Sequence, residues 1–147
     1  MSSEGNEEPT SAASPGTTFS DLSLEKLRQT VEKFCVERDW QQYHTPRNLM
    51  LALVGEVGEL AEIFQWREVS PNAPELSPRE KIHLGEELSD VLLYLIRLAD
   101  RCGVDLSAAV LRKIEKNAEK YPVDRVYGKA KKYKEYEENE GPSHENS

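Results

Sequence analysis

The chain has 147 residues, and its 19 Lys and Arg against 27 Asp and Glu give a formal net charge of −8. This excess of acidic residues argues against a protein that binds nucleic acid or an anionic membrane, because both surfaces need a basic patch. Two cysteines are too few for a disulfide scaffold. With no apolar run of about 18 residues and no signal-peptide pattern, we expect a cytosolic protein without a transmembrane segment.

Both ends of the chain have the composition of disordered tails. Residues 1–20 are rich in Ser, Thr, Gly, Pro and Glu and almost lack aliphatic side chains, so they cannot bury enough apolar surface to fold. Residues 129–147 contain a lysine cluster followed by a run of glutamates, which is typical of a solvated tail. We therefore expect one folded domain over residues 21–128.

Apolar periodicity and capping residues predict four helices in this domain. The first contains Leu24, Leu27, Val31 and Phe34 on one face, with Asp21 or Ser23 as its cap. The second begins at Thr45-Pro46, an N-cap followed by a proline in the first turn. Its dense apolar pattern extends to Trp66.

The third helix begins at the capping box Ser77-Pro78-Arg79-Glu80 and extends to about Arg101. Gly103 suits the position just after its end. The fourth begins at Asp105 or Ser107 and ends before Pro122. Since no alternating run indicates a strand, we predict an all-α fold built as a four-helix unit.

Two acidic pairs stand inside the apolar stripes of the second and third helices. At about 100° per residue, Glu56 lies among the leucines of its helix and Glu59 lies about 60° from it. Glu87 and Asp90 repeat this arrangement on the third helix. Buried carboxylates are unfavourable unless they are paired or bind a metal.

Three explanations for these acids remain open from the residues alone. Divalent cations could neutralise them, and all-oxygen ligands favour Mg²⁺, with Mn²⁺ as an alternative. Arg67, Arg97 or Lys113 could pair with them. The acids could also face water at the edge of the bundle. A di-iron site is disfavoured, because Glu80-Lys81-Ile82-His83 is a single copy of a motif such sites use twice, and Glu80 already serves the capping box.

Further polar and aromatic residues are candidates for binding a substrate. Lys113 and Asn117 lie on or beside the apolar stripe of the fourth helix and could bind phosphate oxygens. Trp40 and Trp66, the only tryptophans, lie near helix ends, with His44 close to Trp40. The alternative is that the tryptophans cover the core, that Lys113 points to solvent and that His44 is a surface residue.

Two segments carry a family resemblance: NLMLALVGEVGELAEIFQW and, after a spacer, GEELSDVLLYLIRLAD. Their Glu-x-x-Glu and Glu-x-x-Asp pairs resemble the signature of the all-α NTP pyrophosphatase (MazG-like) superfamily. The flanking blocks ERDWQQYHTPRNL and KIEKNAEKYP are similar to those of the branch that acts on dCTP. The resemblance covers residues 24–122.

The resemblance implies a hydrolase that splits a nucleoside triphosphate into a monophosphate and pyrophosphate. It implies that Glu56, Glu59, Glu87 and Asp90 hold Mg²⁺, and Glu62 matches a further acid of the family that orients water or a second metal. A carboxylate that is left uncommitted, Glu62 or Glu59, could accept a proton from the attacking water. Tyr94, Lys113 and Asn117 match residues that bind the triphosphate. Trp40 and Trp66 match residues that enclose the base, and His44 lies beside this pocket. The family also implies a homo-oligomer, a dimer or a tetramer.

The sequence departs from the dCTP branch at one position of the first helix. That branch carries a histidine near the base pocket, whereas alignment on Phe-x-x-x-x-Asp-Trp places Val31 there. We predict an Mg²⁺-dependent pyrophosphatase for dCTP or related pyrimidine nucleotides, including modified dCTP, that controls nucleotide pools. The alternatives are a pyrophosphatase for another nucleotide such as dUTP and a helical interaction module without activity.

Overall fold

The computed structural model describes residues 17–67 and 75–128, which contain helices and no strand. The helices are α1 (Leu24–Val36), α2 (Pro46–Glu62), α3 (Pro78–Arg101), α4 (Leu106–Lys120) and α5 (Val123–Val126). The all-α prediction of four helices is confirmed, and α5 adds a single short turn after Pro122. The predicted tails lie largely outside the described residues, so the domain boundaries stay predictions.

Side-chain caps begin each of the four long helices. Ser23, Thr45, Ser77 and Asp105 each accept a hydrogen bond from a backbone N–H in the first turn. At Ser77 the capping box is complete, because the Glu80 side chain also accepts from the Ser77 backbone N–H. The caps open the helices at the positions that the sequence indicated.

Helix α2 ends at Glu62, four residues before the predicted end at Trp66. The chain continues from there in tight turns, in which the Phe64 amide bonds the Ala61 carbonyl. Arg67 stabilises this segment, since its Nε donates to the Ile63 carbonyl and its Nη2 to the Glu80 carboxylate. The turn is thereby held against the start of α3.

Helix α3 is the centre of the packing and contacts α2 and α1. The buried side chains of the described residues are few: Cys35 on α1, Leu49 on α2, and Ile96 and Arg97 on α3. Exposed apolar side chains remain on the helices, among them Met50, Leu51, Val54 and Val57 on α2; Leu88, Leu92 and Leu95 on α3; and Val110, Leu111 and Ile114 on α4. One copy of the chain therefore leaves much apolar surface uncovered.

None of the helices in the described part of the chain is long and apolar enough to cross a membrane.

Replacing Leu49 with alanine tests the small core. Leu49 is 1% exposed, so Leu49→Ala should lower the free energy of unfolding by about 2–5 kcal/mol through lost burial and a residual cavity. Urea denaturation measures this as a lower midpoint with an unchanged slope. Leu22→Ala is the matched control, since Leu22 is 58% exposed and lies ahead of α1. Equal losses in the two variants would contradict this location of the core.

Candidate functional site

Three carboxylates meet where α2 packs against α3. Single oxygens of Glu56, Glu87 and Asp90 all lie within 4.8 Å of one another. Glu56 comes from α2, whereas Glu87 and Asp90 lie one turn apart on α3, so that helix packing creates the acidic cluster. The sequence predicted this convergence from the two acidic pairs.

One carboxylate oxygen of the cluster is buried and unpaired among the described residues. The Glu87 side chain is 14% exposed, and its Oε2 is buried without a hydrogen-bond partner among the described residues. Its Oε1 lies 3.6 Å from Nδ1 of the exposed His83. Burial, and then the charges of Asp90, Glu59 and Glu87, raise the pKa of Glu56. A divalent cation at this point would relieve both the repulsion and the unpaired oxygen.

The arginines that could have neutralised the cluster are engaged elsewhere. Arg67 pairs with Glu80, and Arg97 pairs with Glu32 and Asp100. Lys113 lies on the exposed surface of α4. Of the three explanations left open by the sequence, the described side chains fit the cation best, and the oxygen-only donor set suits Mg²⁺ or Mn²⁺.

Glu59 and Glu62 are exposed on α2 and lie outside this three-carboxylate cluster. Their exposure differs from the expectation that Glu59 lies within the apolar stripe. The reason is that the neighbouring α2 residues Val54 and Val57 are themselves exposed, so the apolar stripe is only partly covered in one copy. The roles of both glutamates stay predictions.

A cavity of about 330 Å³ adjoins the cluster through Asp90. Its walls are mostly apolar and aromatic side chains from α1, α3 and the loop before α2, with a few polar groups between them. The lining residues are Thr30, Val31, Phe34, Cys35, Trp40, His44, Asp90, Leu93, Tyr94 and Arg97. An apolar cleft with few polar groups is typical of a small-molecule site.

The aromatic wall of this cavity depends on a tight turn after α1. Asp39 adopts a left-handed conformation with φ of 53°, which aspartate tolerates better than most residues. The turn returns the Trp40 amide to the Cys35 carbonyl at 3.0 Å. It also sets the Trp40 ring edge-on to Phe34, with the ring centres 5.7 Å apart. The ring centres of His44 and Trp40 lie 6.2 Å apart.

Tyr94 links the cavity to the acidic cluster. It lies one turn after Asp90 on α3 and lines the same cavity. Burial, followed by the charges of Glu56 and Asp90, raises the pKa of Tyr94. The phenol therefore keeps its proton and can donate a hydrogen bond to a phosphate oxygen or a sugar.

Three predicted site residues are not brought to this site in one copy of the chain. Trp66 is 88% exposed in the turn after α2 and does not line the cavity. Lys113 and Asn117 are exposed on α4 and belong to neither the cluster nor the cavity. Trp40, His44 and Tyr94 do line it, so the predicted set divides into residues assembled within one chain and residues left apart.

A polar network that was not predicted from the sequence lies behind the cavity. Arg97 is 1% exposed, and its Nη1 donates to Glu32 on α1 and, at 3.3 Å, to Asp100. The sequence indicates Arg97 only as a counter-ion for the acidic pairs, because it lies seven residues after Asp90 and hence on the same face of α3. Its actual partner Glu32 lies on another helix, and the spacing within α3 does not indicate that pair.

Comparisons with known proteins identify the relatives of this chain. Residues 52–136 match the MazG-like family. The sequence is similar to dCTP pyrophosphatase 1 of Bos taurus, at 53% identity over 86% of this chain and 75% of that protein. It is 52% identical to dCTP pyrophosphatase 1 of Homo sapiens, over 84% of this chain and 74% of that protein. A solved pyrophosphatase from Archaeoglobus fulgidus superposes with a TM-score of 0.63 at 40% identity, over 73% of this chain and 99% of that one.

Binding of a divalent cation to the cluster should stabilise the fold. A cation that binds only the folded chain raises its stability by mass action, by about 2.7 kcal/mol at 100 times the dissociation constant. We expect Mg²⁺ or Mn²⁺ to raise Tm in a thermal melt, and Glu87→Gln to abolish that gain. Glu86→Gln, an equal change of charge at an exposed neighbour outside the cluster, should keep it. A gain retained in Glu87→Gln would contradict the site.

Proposed function

The chain belongs to the MazG-like family, and on that premise we propose that it hydrolyses dCTP to dCMP and pyrophosphate with Mg²⁺ as its cofactor. The proposal rests on the position of the acidic cluster beside the cavity. The carboxylates of Glu56, Glu87 and Asp90 converge beside an aromatic cavity, and Asp90 belongs to both. The names of the relatives, dCTP pyrophosphatase 1, supply the substrate.

The arrangement suits a nucleotide that extends from the cavity to the cluster. Trp40 and Phe34 offer ring faces or edges to a base, and Tyr94 lines the same cavity close enough to Glu56 and Asp90 for their charges to raise its pKa. The three carboxylates would hold Mg²⁺, which when bound offsets the charge of phosphate oxygens and lowers the pKa of a coordinated water. An acidic chain can therefore bind an anionic substrate.

The proposed reaction breaks the bond between the α-phosphorus and the bridging oxygen to the β-phosphate. Water attacks the α-phosphorus in line, pyrophosphate leaves, and one proton is released. We assign the acceptance of that proton to Glu62 or Glu59, whose exposed carboxylates lie on α2 one and two turns after Glu56. Positioning and electrostatic stabilisation supply most of the catalysis in such transfers.

We also propose that the working site is completed by a second copy of the chain, in a dimer or a tetramer. The exposed apolar side chains on α2, α3 and α4 would be covered in such an assembly. The same assembly would give Lys113, Asn117 and Trp66 a place near a nucleotide, since they lie apart from the cavity in one copy. The ammonium group of Lys113 would then bind the triphosphate.

The cavity wall is also compatible with nucleotides other than dCTP. Val31 lines the cavity with an apolar side chain that cannot hydrogen-bond a base. A looser pyrimidine preference, for modified dCTP or for dUTP, would fit this wall. Hydrolysis of these nucleotides would control the nucleotide pool, and we place the enzyme in the cytosol, where its two free cysteines stay reduced.

Pyrophosphate release from a panel of NTPs and dNTPs tests the activity. We expect turnover that depends on Mg²⁺, stops in EDTA and is fastest with dCTP. Glu87→Gln should abolish turnover while circular dichroism shows intact helices, because Glu87 belongs to the cluster. Release of orthophosphate instead of pyrophosphate, or an active Glu87→Gln variant, would contradict the proposal. No turnover with any nucleotide would favour the interaction module.

The proton acceptor can be separated from the metal ligands by a second pair of variants. Glu59→Gln and Glu62→Gln should each leave the gain in Tm from Mg²⁺ in place if neither residue is a ligand, and the one that accepts the proton should lower kcat by roughly 10²–10⁴-fold. Loss of the Tm gain in Glu59→Gln would instead make Glu59 a fourth ligand. Unchanged kcat in both variants would contradict the assignment.

Sedimentation velocity tests the assembly. We expect a mass of two or four times 16.7 kDa at micromolar concentration. Val54→Glu, which places a charge on the exposed apolar face of α2, should lower that mass and the activity together. Leu22→Glu, an equal change outside the helices, should do neither. A fully active species of 16.7 kDa would contradict a site shared between copies.

A further inference from the structure

The loop residue His44 has a fixed hydrogen-bonding arrangement. Its Nδ1 lies 3.1 Å from Nε of Arg97, which can only donate. Nδ1 must therefore accept, and in the neutral imidazole the proton then lies on Nε2. A second arginine holds the backbone, because Nε of Arg101 donates to the His44 carbonyl at 3.1 Å.

Arg97 is itself held firmly enough to impose this arrangement. Its side chain is buried, and its Nη1 bonds the carboxylates of Glu32 and Asp100. Glu32 is further fixed by Gln41, whose Nε2 donates at 2.7 Å, and Asp100 by Arg28 at 3.3 Å. The guanidinium therefore has one orientation, with its Nε–H directed at His44.

This corner of the cavity has more donors than acceptors. Both His44 and Arg97 line the cavity, and Nε2 of His44 has no hydrogen-bond partner among the described residues. Nη2 of Arg97 is buried, and within residues 17–67 and 75–128 it also has no acceptor. Because a buried donor without an acceptor is unfavourable, this corner favours a ligand that brings a hydrogen-bond acceptor.

We propose that Arg97 is a positioning residue that holds His44 in the tautomer protonated on Nε2, so that the cavity offers an N–H donor to an acceptor on the edge of the substrate's base. This inference rests on the proposed function, in which the base occupies the cavity. A pyrimidine edge meets the requirement, because its ring nitrogen or carbonyl oxygen can accept. The apolar Val31 on the same wall cannot supply such a bond.

The charges around His44 also favour the neutral imidazole. Burial, followed by the positive charges of Arg97 and Arg101, lowers the pKa of His44, and the charge of Glu32 raises it. The titratable or charged groups that face the ring come from two helices: Glu32 and Cys35 on α1, and Asp90, Tyr94, Arg97 and Arg101 on α3. At neutral pH the ring is therefore uncharged, and its tautomer decides what it offers.

Nitrogen NMR of the protein without nucleotide tests the tautomer separately from the activity. The chain has three histidines, so His44 is assigned by the signal that disappears in His44→Gln. We expect wild-type His44 to be neutral and protonated on Nε2 at pH 7.5. A proton on Nδ1, or a charged ring, would overturn the inference even if the chain hydrolyses dCTP. The expected tautomer in a chain without activity would overturn the proposed function alone.

Kinetics with Arg97→Met test the positioning role. Without the donor, neutral His44 can place its proton on Nδ1 and turn a lone pair to the base, so kcat/KM for dCTP should fall about tenfold at pH 7.5. Acidification through the pKa of His44 puts a proton on both nitrogens, so the deficit relative to wild type should shrink as pH falls. A deficit that is equal at every pH would show a merely structural role and overturn the inference.

Two control sets keep this test interpretable. Arg28→Met removes an arginine from the same carboxylate network without contact to His44, and its ratio to wild type should not change with pH. If Arg97→Met does not fold, His44→Gln and His44→Asn replace it. A glutamine amide reaches the position of Nε2 and an asparagine amide that of Nδ1, so Gln should retain more kcat/KM than Asn. Equal losses in the two variants would overturn the inference.

Discussion

The repulsion among three carboxylates is the constraint on which the site depends. Helix packing places Glu56 against Glu87 and Asp90, and one buried oxygen of Glu87 has no hydrogen-bond partner in residues 17–67 and 75–128. Arg67 and Arg97, which could have neutralised the carboxylates, pair with Glu80 and with Glu32 instead. A bound divalent cation would turn this unfavourable arrangement into a binding site for phosphate oxygens, because it reverses the local charge. The acidity of the chain and the anionic substrate of its relatives are then compatible.

The cavity follows from a second network, which is built around a buried arginine. Arg97 connects α3 to α1 through Glu32 and to the loop before α2 through His44. The loop in turn carries Trp40, which the turn at Asp39 sets against Phe34. The polar core thus determines where the aromatic wall stands. Removing one member of such a network leaves a buried charge unpaired, so stability and recognition are coupled here.

Much of this could be predicted from the sequence because its signals are local. The caps at Ser77 and Asp105 and the spacing of Glu56, Glu87 and Asp90 depend on residues a few positions apart. The pair formed by Arg97 and Glu32 joins residues 65 positions apart, and nothing in either helix alone indicates it. Lys113, Asn117 and Trp66 are exposed and do not line the cavity in one copy of the chain, so their roles in binding a substrate stay predictions. The turns that follow the end of α2 at Glu62 are joined to α3 by the contact of Arg67 with Glu80, which the pattern of α2 alone does not indicate.

Anomalous scattering from crystals grown with Mn²⁺ would show whether these carboxylates bind a cation, because it locates the ion without depending on activity. We expect an anomalous peak in contact with carboxylate oxygens of Glu56, Glu87 and Asp90, and the loss of that peak in Glu87→Gln crystals. A map with no peak between these carboxylates, or with the cation bound elsewhere, would contradict this expectation.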